Sequence, residues 1–254
     1  MPRSYFVAAC LTAAVFLASA EAASAQRFSL RSGAQAVQSL NAAVYFINFE
    51  FKGDEEPDFN FNFDQPAYGF VYTRPHFMAT VAYGTQSPDD EGRQDLSLID
   101  VSLTTWGEFR LKGQDAGPTR FYFPIALYGS YRRVSPGDAA ATTLDAFNIS
   151  VFGLGLGLAL DRTIGQTAFF EARANPVVGL ATSSLTDAFG TSYLIDADTQ
   201  LHLAGLFGRF GLSLGYTFRY QVWNINTSDL FPDEIDDLFD YKGLQHLLRV
   251  GVNW

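Results

Sequence analysis

Residues 244–254 end the chain as Leu244, Gln245, His246, Leu247, Leu248, Arg249, Val250, Gly251, Val252, Asn253 and Trp254. One parity carries Leu244, His246, Leu248, Val250, Val252 and Trp254; the other carries Gln245, Leu247, Arg249, Gly251 and Asn253. A period of two is the signature of a strand, because successive side chains leave opposite faces of the backbone. One face here is apolar and the other mostly polar. The alternation runs to the chain end and stops on an aromatic ring.

The same period recurs upstream. It predicts ten strands, over residues 42–51, 59–73, 76–84, 96–111, 120–134, 147–161, 168–183, 193–207, 210–225 and 244–254. Their connections alternate in length. Those after the second, fourth, sixth and eighth strands are short, and the others are generally longer. Two strands break the pattern. The apolar parity moves from Phe59, Phe61 and Phe63 to Tyr68, Phe70 and Tyr72, which a bulge at Gln65 and Pro66 would explain. Phe147, Ile149 and Val151 are out of phase with Phe152, Leu154 and Leu156, which calls for a second bulge.

Composition narrows the class. The chain of 254 residues is 48% hydrophobic and 15% aromatic, and only 17% charged. Beyond the N-terminus no apolar run reaches the ~18 residues of a helical membrane span. Low charge, many aromatics and no spanning helix suit a membrane β-barrel. At the N-terminus Arg3, an apolar core over residues 5–20, and Ala23, Ser24 and Ala25 read as a secretory signal cut before Gln26. Residues 26–41 are expected to be a short periplasmic lead and residues 42–254 the barrel. Cys10 is the only cysteine and lies in the signal, which excludes disulfides and thiol chemistry from the mature chain.

The terminal strand resembles that of bacterial outer-membrane β-barrel proteins, which end in an alternating strand with a last aromatic residue. The resemblance implies an all-β, transmembrane, antiparallel up-and-down barrel whose first and last strands pair. It also implies that Leu248, Val250, Val252 and Trp254 are read by the barrel-assembly machinery. Outer-membrane barrels put short turns in the periplasm and longer loops outside, so both termini are expected to be periplasmic. The apolar parity then sets Tyr45, Phe109, Phe121, Phe170, Phe207, Phe210 and Trp254 at the periplasmic rim, and Tyr83, Tyr131, Tyr193 and Tyr220 at the outer rim. Every charge inside a strand is expected on the lumen parity.

Three sets of residues are candidates for function. Glu108, Arg110, Arg120, Glu171 and Arg173 fall on the lumen parity near the periplasmic end and are expected to pair with one another, since charges in a low-dielectric interior must pair. Asp196, Asp198, His202, Arg219 and Arg249 are further lumen-facing polar groups. Ten-stranded outer-membrane proteases, the omptins, use paired aspartates and an Asp–His pair. Here Asp198 and His202 stand roughly 13 Å apart along one strand, beyond hydrogen-bond reach. Gly153, Gly155 and Gly157 lack phosphate-loop spacing and are expected to make room in a narrow lumen. Three scattered histidines point to no metal centre, and no motif points to a cofactor.

The net charge of -10 sits mainly in the predicted outer loops. Such loops repel nucleic acid; divalent cations and outer-membrane lipid are the candidate partners. Within residues 229–241, Phe231, Ile235, Leu238 and Phe239 recur at helical spacing and predict a short outer helix. The reading is of a structural or surface-interaction barrel with a mostly filled lumen. The alternatives are a narrow, porin-like pore for small solutes and an enzyme acting on lipid or peptide at the outer rim.

Overall fold

A computed structural model describes residues 37–53, 61–87, 95–113, 117–136, 147–165, 167–183, 189–226 and 238–254. The signal, the lead before residue 37, and most of the predicted outer loops lie outside the described residues. Eleven strands follow in order: β1 (Ser39–Gly53), β2 (Phe61–Arg74), β3 (Phe77–Gln86), β4 (Leu96–Lys112), β5 (Thr119–Pro136), β6 (Phe147–Leu156), β7 (Leu158–Ile164), β8 (Ala168–Ser183), β9 (Phe189–Phe207), β10 (Phe210–Asn226) and β11 (Leu238–Asn253). All neighbours are antiparallel. The ladder closes where β1 meets β11, from Ser39 opposite Asn253 to Gly53 opposite Phe239. Closure removes the unpaired edges that an open sheet would expose, and in a membrane every backbone polar group needs such a partner.

The ring has ten staves, because β6 and β7 are one stave with a gap in its ladder. Ile125 faces Leu156 and Tyr122 faces Ala159 in a single continuous register. Within the gap lie Pro124 on one neighbour and Pro176 on the other, and proline has no N–H to give. Gly157 still donates to the Pro124 carbonyl at 3.1 Å.

No bulge occurs at either place where the sequence pattern demanded one. β1 and β2 keep one register from Ser39 opposite Thr73 to Phe51 opposite Phe61. Phe63, Ala67, Val71 and Thr73 all face inward, and Asn62, Asp64, Tyr68 and Phe70 all face outward. On β6, Ile149 and Val151 face the lumen together with Gly153 and Gly155. Tyr45, expected on the lipid side, is fully buried inside, as are Phe49 and Phe51. Glu50, Asp64 and Arg133 are strand charges that point outward, so charge is not confined to the lumen parity.

These corrections share one cause: the barrel changes polarity along its axis. In its middle, Val81, Leu103, Leu127, Leu154, Val178 and Leu214 point outward, while Thr80, Ser102, Asp196, Asp198 and Arg219 point inward. Toward the end bearing the long loops, the sense reverses. Phe49, Phe63, Leu96, Leu98, Val134 and Trp223 fill the interior, while Asn48, Glu50, Lys52, Asn62, Asp64, Lys242 and Asp240 face out. Strand length explains this. β1 has 15 residues and β9 has 19, whereas crossing a bilayer takes about 9–11. The surplus stands in water as a collar, where the ordinary rule of apolar inside and polar outside returns.

Tyr83 and Tyr193 are exposed just below this collar, with Tyr131 and Tyr220 partly exposed. Phe109, Phe121, Phe207, Phe210 and Trp254 are exposed toward the other end. Leu238, Phe239 and Tyr241 belong to β11, not to a helix; the rest of the predicted helix lies outside the described residues.

Candidate functional site

The lumen is the place where chemistry could be built, and alternation delivers its side chains. β9 sends Ser192, Leu194, Asp196, Asp198, Gln200 and His202 inward; β10 sends Ser213, Thr217, Arg219 and Trp223; β11 sends Tyr241, Gln245, Leu247, Arg249 and Asn253. Gly153 and Gly155 leave space that Val177 fills: a Cβ on either would come within 2.6 or 2.8 Å of its methyl groups.

At the end where β1 begins and β11 ends, a polar layer spans the lumen. Gln200 Nε2 donates to Ser39 Oγ at 2.9 Å and to Ser213 Oγ at 2.7 Å. Ser39 and Thr73 share a 2.6 Å hydrogen bond, and Asn41 donates to Ser39 at 2.8 Å. Above it lie two ion pairs. Arg249 grips both oxygens of Asp198, at 2.7 and 3.0 Å, and Thr217 also donates to Asp198 at 2.7 Å. Arg219 Nε donates to Asp196 at 2.8 Å. The same guanidinium crosses the lumen to Ser102 Oγ at 2.8 Å and lies over the Tyr128 ring. Arg173 approaches Asp196 at 3.8 Å from the other side and rests on Trp106, 3.6 Å from the ring centre.

Farther toward the collar, Arg132 donates to Asp100 at 2.7 Å and to the Tyr241 hydroxyl, and lies over the Phe49 ring. Aromatic rings then line the interior. Trp223 stacks on Tyr241 with centroids 5.2 Å apart and planes 4° apart, Phe49 stacks on Phe63, and Phe51 leans on Trp223. From bottom to top the lumen therefore holds hydroxyls and amides, then arginine–aspartate pairs, then rings.

Members of the predicted charge cluster also meet residues outside it. Arg120 pairs with Asp161 at 3.9 Å, and Arg173 with Asp196, so both arginines draw in aspartates outside the predicted set. Glu108 accepts from Trp106 Nε1 at 2.8 Å and lies 3.9 Å from His76 Nδ1. Arg110 lies at the exposed end of β4, and Glu171 is partly buried on β8 opposite Asp161. Asp161, Asp100 and Arg132 share the inward parity of their strands, but a period of two does not say which inward charges meet.

Asp196, Asp198, His202, Arg219 and Arg249 all face the lumen, as their parity required. Four of the five join the ion pairs just described. His202 stacks on Phe169 with ring centroids 6.2 Å apart. The oxygens of Asp198 are held by Arg249 and Thr217. On the outside, Leu248, Val250, Val252 and Trp254 form an exposed apolar stripe down β11.

No protein-family model and no curated protein sequence matches the chain. Solved structures with a similar strand arrangement are bacterial outer-membrane proteins. The outer membrane protease OmpT of Escherichia coli is 7% identical, with 89% of this chain and 99% of that one covered and a TM-score of 0.43. Neisserial surface protein A is 13% identical over 86% of this chain and 98% of its own, with a TM-score of 0.31. The translocator domain of autotransporter NalP from Neisseria meningitidis is 11% identical over 100% and 99%, with a TM-score of 0.33. At these values no residue role transfers, and the barrel stands on this chain's own closed ladder.

Proposed function

We propose that this protein is an integral outer-membrane barrel that conducts no solute and acts through the surface it presents outside the cell. One observation supports the reading: wall side chains meet inside the barrel, with Arg249–Asp198, Arg219–Asp196 and Arg132–Asp100 pairs below stacked rings. Small barrels fill their interiors in this way, and wide aqueous channels need about 16 strands. Opening this bore would mean separating buried ion pairs, which costs several kcal/mol each.

The short turns lie at the same end as the start of β1 and the end of β11, where Gln38 and Trp254 exchange backbone hydrogen bonds, and by the habit of such barrels that end is periplasmic. The collar and the long connections then stand at the outer surface. The acidic stretches predicted as outer loops are suited to divalent cations shared with lipid phosphates. The apolar stripe ending at Trp254 is the segment that the assembly machinery would read.

Planar-bilayer recording tests the closed lumen. The purified mature protein is expected to give no steady single-channel current at moderate voltage. A reproducible unitary conductance from unmutated protein would sink this reading and favour the narrow pore.

A further inference from the structure

We propose that the barrel carries a lipid-binding site on its outer wall, at the β1–β11 seam. It takes one acyl chain of an outer-leaflet lipid and holds the carbonyl at the head of that chain. The inference rests on the chain spanning a membrane with the collar at the outer surface, but not on whether the lumen conducts.

Register places the outward side chains in rows. Leu214, Val250, Ala42 and Phe70 form one row, and Tyr216, Leu248, Val44 and Tyr68 the next. Ala42, Val44 and Val250 are small, while Tyr68 and Phe70 project beside them. The result is a concave, apolar groove of about 680 Å³. It lies within the apolar belt, so hydrocarbon is what covers it.

The next row up is Phe218, His246, Phe46 and Pro66. His246 is a polar ring pointing out of the wall. Its Nδ1 is 2.8 Å from the Tyr216 hydroxyl, and its ring is flanked by Tyr216 and Phe218. With the Tyr216 hydroxyl donating to Nδ1, the neutral ring carries its hydrogen on Nε2, the nitrogen left for the lipid. One row higher stand Asn48 and Asp64, where the polar collar begins. At strand rise that is about 7 Å along the strand above His246. The imidazole therefore sits just beneath the polar boundary, the level of acyl carbonyls, with the groove running down from it. A chain in the groove brings its carbonyl to Nε2–H; the ring gains a hydrogen bond that hydrocarbon alone denies it.

The test uses the mature protein in nanodiscs of phosphatidylethanolamine bearing a diazirine midway along one acyl chain. After irradiation, adducts are mapped by peptide mass spectrometry. They are expected to concentrate on Tyr68, Leu248 and Val250, at several times the yield on Leu154 and Val178 of the opposite wall. Ala42→Phe, which fills the groove, should bring the yield down to that of the opposite wall. His246→Phe should lower it by roughly fivefold, the worth of one ordinary hydrogen bond. Folding of each variant is checked by heat-modifiable mobility. Should either variant fail to fold, the distribution on unmutated protein still decides. Adducts spread evenly around the belt would overturn the proposal. So would a groove free of adducts together with disulfide dimers formed by Ala42→Cys, which would assign it to a second copy of the chain.

Discussion

The Asp198–Arg249 pair gives the sharpest test of how the lumen is held. Asp198→Ala removes a carboxylate that accepts two hydrogen bonds from Arg249 and one from Thr217. The Arg249 side chain is fully shielded from solvent. Among the described residues it would retain Thr217 Oγ1 at 2.5 Å and Gln200 Oε1 at 3.3 Å as hydrogen-bond acceptors. Stranding one member of a buried pair costs about 3–5 kcal/mol. With a urea slope of about 2 kcal/mol per M, the unfolding midpoint should fall by roughly 2 M. Removing both partners should behave differently, because the desolvation cost of both ions disappears with their attraction. Asp198→Leu with Arg249→Leu is therefore expected to recover most of the loss. The assay is reversible urea unfolding in lipid vesicles, followed by heat-modifiable gel mobility and tryptophan fluorescence across all four members of the cycle. Single losses below about 1 kcal/mol with no coupling would refute the view that this pair is a desolvated, mutually dependent unit. As a surface control, Glu50→Ala breaks an ion pair to Lys52 whose side chains are about half exposed, and should leave the midpoint unchanged.

Other predictions follow from the same geometry. Phe49→Ala deletes a fully buried ring stacked on Phe63 and lying against Arg132, and should cost about 3–5 kcal/mol in the same unfolding assay. Spin labels on single cysteines at residues 50 and 64 should be reached by a water-soluble nickel relaxant, and those at residues 44 and 68 by oxygen. Oxygen preference at all four would remove the polar collar. Trp254→Asp should reduce folded protein in the outer-membrane fraction several-fold; equal yield would argue against its role as an assembly signal. N-terminal sequencing of membrane-extracted protein should begin at Gln26, and a retained Met1 would overturn the signal reading.

Much of the fold is legible in the order of residues, and the reason is local. Strand geometry sorts side chains onto two faces whatever the surroundings. Period two alone therefore marks the ten staves, the alternation of short and long connections, and the shared parity of Asp196, Asp198, His202, Arg219 and Arg249. It does not say which face is inside. That sign depends on the medium outside the wall, and the medium changes along the barrel axis. Tyr45, Phe49 and Phe63 look like a lipid-facing stripe when read by hydropathy, and the shift to Tyr68 and Phe70 looks like a bulge. Only the closed ladder, with unbroken register between β1 and β2, reveals one inward face that is polar in the membrane and aromatic above it. Partner choice in the lumen is likewise tertiary. Arg219 on β10 reaches Ser102 on β4, 117 positions away in sequence, because ring closure brings opposite staves within a side chain's length, and no local pattern encodes that distance.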